Sequence, residues 1–268
     1  MKLMRVGEIG SEKPALIDAQ NKYRDLSTII KDLNPDTLNF ETLEKIRVTD
    51  SSKLPELDSN LRIGACVSKP SKFIGIGLNF KDHAEEQNLP IPKEPIIFSK
   101  FTSCITGPND PIIVPKGSNH TDWEVELGFV IGKKAINVST DQALDHVLGF
   151  FLVNDVSERN FQKNKGLTWD KGKGFDTFGP IGPYIVTKDE LPDFQKLNMS
   201  LDVDGKRMQT GNTEKMIFDI KTLVSYMSSC MSLHPGDICC TGTPPGVGEN
   251  MSPPKYLKGG EEIVLSID

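Results

Sequence analysis

The sequence predicts a mixed β fold with short helices, and three observations carry that prediction. Short apolar runs recur from Lys72 onward, each bounded by Gly, Pro, Asn or Asp. The 268 residues include 23 Gly and 18 Pro, which interrupt regular structure and call for many tight turns. Only two stretches of that region carry a helical pattern. A helical bundle is thereby excluded, while 37% hydrophobic and 25% charged residues leave ample apolar mass for a core.

In chain order, residues 1–65 read as a small N-terminal α+β domain. Leu3, Met4 and Val6 alternate as a strand, Ala15 to Ile17 form a second apolar segment, and the polar text from Leu26 to Ile46 is helix-friendly. The polar stretch Ser51 to Asn60 is a linker candidate, so the main domain is expected over residues 66–268. Its strand candidates are Phe73 to Gly77, Ile96 to Phe98, Pro111 to Val114, Val125 to Ile131, Gly149 to Val153, Ile185–Val186 and Ile238 to Cys240. Helices are expected over Thr140 to His146, capped by Ser139 or Thr140, and over Ile220 to Met231, where Leu223, Val224, Met227 and Met231 share a face.

The 31 basic and 37 acidic residues give a net charge of −6 with no long basic run, which argues against nucleic acid as a partner. No apolar stretch is long enough to span a membrane, and the start lacks a signal-peptide core, so a cytoplasmic protein is expected. Cys66, Cys104, Cys230, Cys239 and Cys240 show no C-x-x-C spacing and read as reduced core thiols.

Chemistry concentrates in five strings. Glu124 and Glu126 in Asp122-Trp-Glu-Val-Glu-Leu-Gly would share one strand face about 6.5–7 Å apart. Two acids on an apolar strand repel and resist desolvation unless a cation neutralises them or both point into water. Asp155 ends the apolar run Gly149 to Val153, where it is either a third acid at a sheet mouth or a helix cap. An all-carboxylate set would select Mg²⁺, Mn²⁺ or Ca²⁺ over zinc. His83 and Glu86 are three apart, so a helical turn would let the carboxylate orient the imidazole and raise its basicity. Gly75 and Gly77 before them lack the third glycine of a dinucleotide loop. Trp169 to Pro180 combines glycines with Lys171 and Lys173, a loop able to close over an anion; Thr241 to Gly248 offers hydroxyls and backbone N–H groups to a carboxylate. Each string also has a plain solvated-surface or turn reading.

These strings occur in a fixed order: G-x-N-F-x-D-H-x-x-E, E-P-I-I-F-x-K, E-V-E-L-G, N-D-x-x-x-R-x-x-Q, K-G-K-x-F-D-x-F-G-P, G-N-T-x-x-M-I-F and T-G-T-P-x-G-V-G. Together they resemble the fumarylacetoacetate hydrolase family over residues 66–268. The resemblance implies a β-roll main domain, a homodimer and a Mg²⁺ or Mn²⁺ site. It implies Glu124, Glu126 and Asp155 as metal ligands, His83 and Glu86 as the water-activating pair, and Lys173 as the oxyanion-stabilising lysine. Arg159, Gln162 and Thr243 fall on substrate-holding positions, as does Lys100 with a less defined role. Phe80 stands where the family usually has tyrosine, so a phenolic hydrogen bond is lost. The implied activity is hydrolytic C–C cleavage of an acylpyruvate, a 2,4-diketo acid. Alternatives within the family are an oxaloacetate-type decarboxylase, a hydroxymuconate isomerase or decarboxylase and a ureidoglycolate lyase; an alternative outside catalysis is an organic-acid-binding protein.

Overall fold

The computed structural model describes residues 1–166 and 168–268. The N-terminal segment forms β1 (Lys2–Val6), β2 (Lys13–Ile17), β3 (Tyr23–Asp25), α1 (Phe40–Arg47) and β4 (Glu56–Leu57). Of the helix-friendly text from Leu26 to Ile46, only its end is helical. Pro35 disfavours helix in the residue before it, and the Asn34 side chain accepts from Asp36 N at 3.0 Å, closing a turn instead. Asn39 then caps α1 by accepting from Thr42 N at 2.9 Å.

There follow β5 (Phe73–Gly77), α2 (Lys81–Glu86), β6 (Ile96–Lys100), β7 (Ile105–Thr106), β8 (Thr121–Asp122), β9 (Val125–Ile131), α3 (Thr140–Ala143) and β10 (Val147–Asn154). The chain continues with β11 (Ser157–Glu158), α4 (Arg159–Asn164), α5 (Asp170–Lys173), β12 (Gly179–Thr187), β13 (Asn198–Val203), β14 (Lys206–Asn212), α6 (Ile220–Cys230), β15 (Ile238–Cys240) and β16 (Ile263–Ile267). The expected strand over Pro111 to Val114 does not form. Pro111 and Pro115 lack N–H donors, and Ile113 N donates to Thr177 Oγ1 at 2.8 Å rather than to a ladder. The expected helix from Thr140 passes into a 3₁₀ turn over Leu144–His146.

Eleven strands make one mixed sheet, ordered β4-β3-β2-β1-β12-β10-β9-β15-β5-β6, with β7 pairing β12 off this path. β1 pairs antiparallel with β12, so the N-terminal strands extend the main sheet rather than forming their own. A second sheet has the order β14-β13-β16, and β8 pairs with β11.

Strand alternation divides β9 between two cores. Val125, Leu127, Phe129 and Ile131 face a cluster that includes Leu223, Val224 and Met227 of α6. Val130 belongs to the other cluster, which runs from Leu3, Leu16 and Leu43 to Phe73, Phe151 and Ile185, across the boundary expected at residue 65. Glu126 shares the alternation of Val130, which places a carboxylate in an otherwise apolar layer. Among the described residues, no helix is long and apolar enough to cross a membrane. Four cysteines are buried thiols as expected, whereas Cys230 is exposed at the end of α6. The result is a mixed, sheet-dominated fold with few, short helices.

Candidate functional site

The site forms where β9, β10 and β15 end side by side. In the ladders, Glu126 is opposite Val153, and Cys240 is opposite both Gly128 and Gly75. Beyond the ladder, Glu124 N donates to Asn154 Oδ1 at 3.1 Å and Asp155 N donates to Glu124 O at 2.9 Å, fixing the two acids beside one another. Gln209 holds the next residue. Its Oε1 accepts from Val125 N at 2.9 Å, while its Nε2 donates to Thr243 Oγ1 and Pro244 O, both at 2.8 Å.

The three acids differ in their partners. Glu124 pairs with Arg159 through one oxygen and with Lys173 through the other, both at 2.7 Å. Burial pushes the Glu124 carboxyl up, but these two cations outweigh it and hold the group well below the usual carboxylate range. Asp155 pairs with Lys100 at 2.6 Å and Lys173 at 2.7 Å. Glu126 accepts from Gly242 N at 2.6 Å and has no ion-pair partner among the described residues. Burial, then the charges of Asp155 and Glu124, push its carboxyl well above the usual range.

One oxygen each of Glu126 and Asp155 lies within 4.8 Å of the other and of Cys240 Sγ. Glu124, paired with Arg159 and Lys173, stands outside this cluster. Burial, then Glu126 and Asp155, push the Cys240 thiol well up. A buried carboxyl without a cation, beside further carboxylates, fits a hard divalent ion, which Glu126 and Asp155 would hold with Glu124 alongside.

His83 and Glu86 lie on α2 as one helical turn requires, with Nδ1 2.9 Å from Glu86 Oε2. Glu86 also accepts from Gly246 N and Asn250 Nδ2, each at 3.0 Å. Burial pushes its carboxyl up, but the bonds from His83 and Asn250 win and hold it below the usual range. An ionised carboxylate cannot donate, so Nδ1 carries the proton and Nε2 of a neutral ring carries the lone pair. Gln87 Nε2 lies 2.7 Å from that atom. Gln87 follows His83 by four residues, the helical spacing that could have marked it.

Lys173 is not on the flexible loop that its glycines suggest. It ends the short helix α5 and is buried, 2% exposed, because Gly172 packs where a Cβ would lie 2.5 Å from Gln162 N. Burial lowers the Lys173 ammonium, but Asp155 and Glu124 raise it further, so it is charged. Gly75 and Gly77 likewise serve close approach. Phe98 lies against the first and Trp169 against the second, their ring centroids 5.6 Å apart, with the Lys173 ammonium 5.2 Å from the Phe98 centroid.

A cavity of about 190 Å³ is lined by His83, Gln87, Glu124, Glu126, Arg159, Gln162, Lys173 and Thr243, with Lys163 and Glu249. Arg159 donates to Asp122 and Gln162, and its Nη2 is buried with no partner among the described residues. Thr243 Oγ1 accepts from Gln209 and donates to Val125 O. Lys100 does not line this cavity. It lies behind Asp155, also donating to Lys173 O, which makes it a counter-ion rather than a group facing a ligand. A larger groove of about 720 Å³ runs along β6 but includes neither His83 nor the three acids.

A family model described as the C-terminal domain of fumarylacetoacetate hydrolase matches residues 72–268. A Burkholderia ambifaria protein, whose name carries the word hydrolase without a substrate, is 55% identical, covering 100% of this chain and 95% of that protein. The structure of a fumarylacetoacetate hydrolase from Exiguobacterium antarcticum is 33% identical with a TM-score of 0.85, covering 100% and 95% of the two chains. A Sphingobium maleylpyruvate hydrolase, solved with manganese(II) and pyruvate, is 26% identical with a TM-score of 0.82 over the same shares.

Proposed function

The chain belongs to the fumarylacetoacetate hydrolase family, and from that premise we propose that it is a divalent-metal-dependent hydrolase cleaving a C–C bond of a 2,4-diketo acid of the acylpyruvate type. The observation that carries this reading is the His83–Glu86 pair on the same cavity as Glu126, Glu124 and Lys173. A decarboxylase needs no activated water, and a binding protein needs no base, so the oriented imidazole favours hydrolysis. The manganese and pyruvate in the Sphingobium relative support both the metal and the pyruvoyl half of the substrate.

A Mg²⁺ or Mn²⁺ ion held by Glu126, Asp155 and Glu124 would supply Lewis acidity to the 2-oxo acid. Arg159 Nη2 and the Gln162 amide bind the substrate carboxylate. Water takes the place of the Gln87 amide at His83 Nε2, His83 Nε2 takes a proton from it, and the hydroxide formed attacks the 4-carbonyl carbon. Lys173 uses two of its three N–H donors on Glu124 and Asp155, so the third is available to the developing alkoxide. The carbonyl re-forms, the C3–C4 bond breaks, and the proton that His83 took from water is delivered to C3. A carboxylic acid and pyruvate leave.

The test is a panel of acylpyruvates, oxaloacetate and ureidoglycolate, each with Mg²⁺, Mn²⁺ and chelator. Metal-dependent release of pyruvate and an acid from an acylpyruvate supports the reading. Carbon dioxide release from oxaloacetate alone, or binding without turnover, would replace it.

A further inference from the structure

The charges around the cavity bear on the part of the substrate that the proposed chemistry leaves untouched. Three basic side chains line it: Arg159, Lys163 and Lys173. Lys173 has a carboxylate at 2.7 Å on each of two sides. Lys163 pairs with Glu249 at 2.5 Å. Arg159 retains a buried donor, Nη2, that has no partner among the described residues, and the third N–H of Lys173 is the one that the proposed chemistry assigns to the alkoxide. That leaves one cationic donor for one carboxylate.

A second carboxylate would meet a different environment. Much of the remaining wall is Ile76, Leu78, Leu89, Ile96, Phe98 and Trp169, and Leu89 and Ile96 are 47% and 37% exposed. A carboxylate desolvated against such a wall needs a partner. Lys163 could serve only alongside Glu249, whose charge already neutralises it and would face the incoming anion. Glu249 is also held in place, because its backbone N donates to Asp122 Oδ2 at 3.0 Å.

We propose that the site selects 2-oxo monocarboxylates whose tail carries no charge, and that Glu249, by occupying Lys163 and repelling a second anion, is the residue that excludes a terminal carboxylate. This rests on the reading of the cavity as a 2-oxo acid site, though not on hydrolysis.

The experiment compares 2-oxohexanoate with 2-oxoadipate, which share a chain length and differ by a terminal methyl or carboxylate. Binding to the Mn²⁺-loaded protein is measured by calorimetry. The monocarboxylate is expected to bind at least about tenfold more tightly, and Glu249→Gln to shrink that ratio by strengthening the dicarboxylate. Equal or tighter binding of 2-oxoadipate by the unaltered protein overturns the proposal, and an unchanged ratio in a folded Glu249→Gln overturns the role of Glu249. Failure of both acids to bind overturns it together with the 2-oxo acid reading. A preference for 2-oxohexanoate without turnover of any diketo acid sustains it while removing the hydrolytic reading.

Discussion

Nδ1 of His83 lies 2.9 Å from Oε2 of Glu86, one turn along the same helix, and that contact fixes which ring nitrogen carries the lone pair. Glu86→Gln keeps the size of the side chain but removes the charge that stabilises the protonated ring. Its kcat on an acylpyruvate is expected to fall by about 10²-fold or more, with KM little changed. Steady-state kinetics following loss of the diketo acid would check this. An unchanged kcat would remove the pair from the mechanism.

Glu126 is the acid without a cation partner, and its raised carboxyl makes a pH prediction. A carboxyl whose folded pKa lies above its unfolded value costs nothing below the unfolded value. It destabilises increasingly as pH rises from there toward the folded value. The metal-free protein should therefore lose stability relative to Glu126→Gln over that window, measured as the difference in thermal midpoint. Saturating Mg²⁺ or Mn²⁺ should raise the midpoint of the unaltered protein and leave Glu126→Gln nearly unmoved.

Lys100 gives a different signature. It is 1% exposed, between Asp155 and the Lys173 carbonyl. Lys100→Met leaves Asp155 with one buried cation instead of two and is expected to cost about 3–5 kcal/mol in a denaturant titration. A stable variant whose only defect is a higher KM would instead make Lys100 a substrate contact.

Gly75 is the floor on which Phe98 rests. A Cβ there would lie 2.1 Å from the ring, so Gly75→Ala must displace Phe98 and with it the wall beside Lys173. Overpacking of this kind costs about 1–3 kcal/mol, and urea unfolding would register it. Ordinary stability in Gly75→Ala would show that the ring moves without strain.

Much of the fold was legible locally. Alternation marks β1, short apolar runs bounded by turn residues mark β5, β9 and β10, and Leu223, Val224 and Met227 mark the buried face of α6. The hairpin of β13 and β14 escaped the sequence reading although Asp204-Gly205, both at positive φ, is its turn signal. Strand β12 was underread because Pro180, Pro183 and its glycines break the apolar pattern. Within the site, His83 with Glu86 followed from helical spacing alone, since a contact three residues apart is settled by local geometry.

The sequence by itself singled out the candidate side chains: three acids, one histidine with its carboxylate, and Lys173 with Arg159 and Gln162. What only the tertiary structure decided is how those charges pair. Glu124 is neutralised by Arg159 and Lys173, Asp155 by Lys100 and Lys173, and Glu126 by neither, because strands distant in sequence set those distances. Coulomb energy falls with separation and grows with burial, and neither quantity exists until β9, β10 and β15 lie side by side.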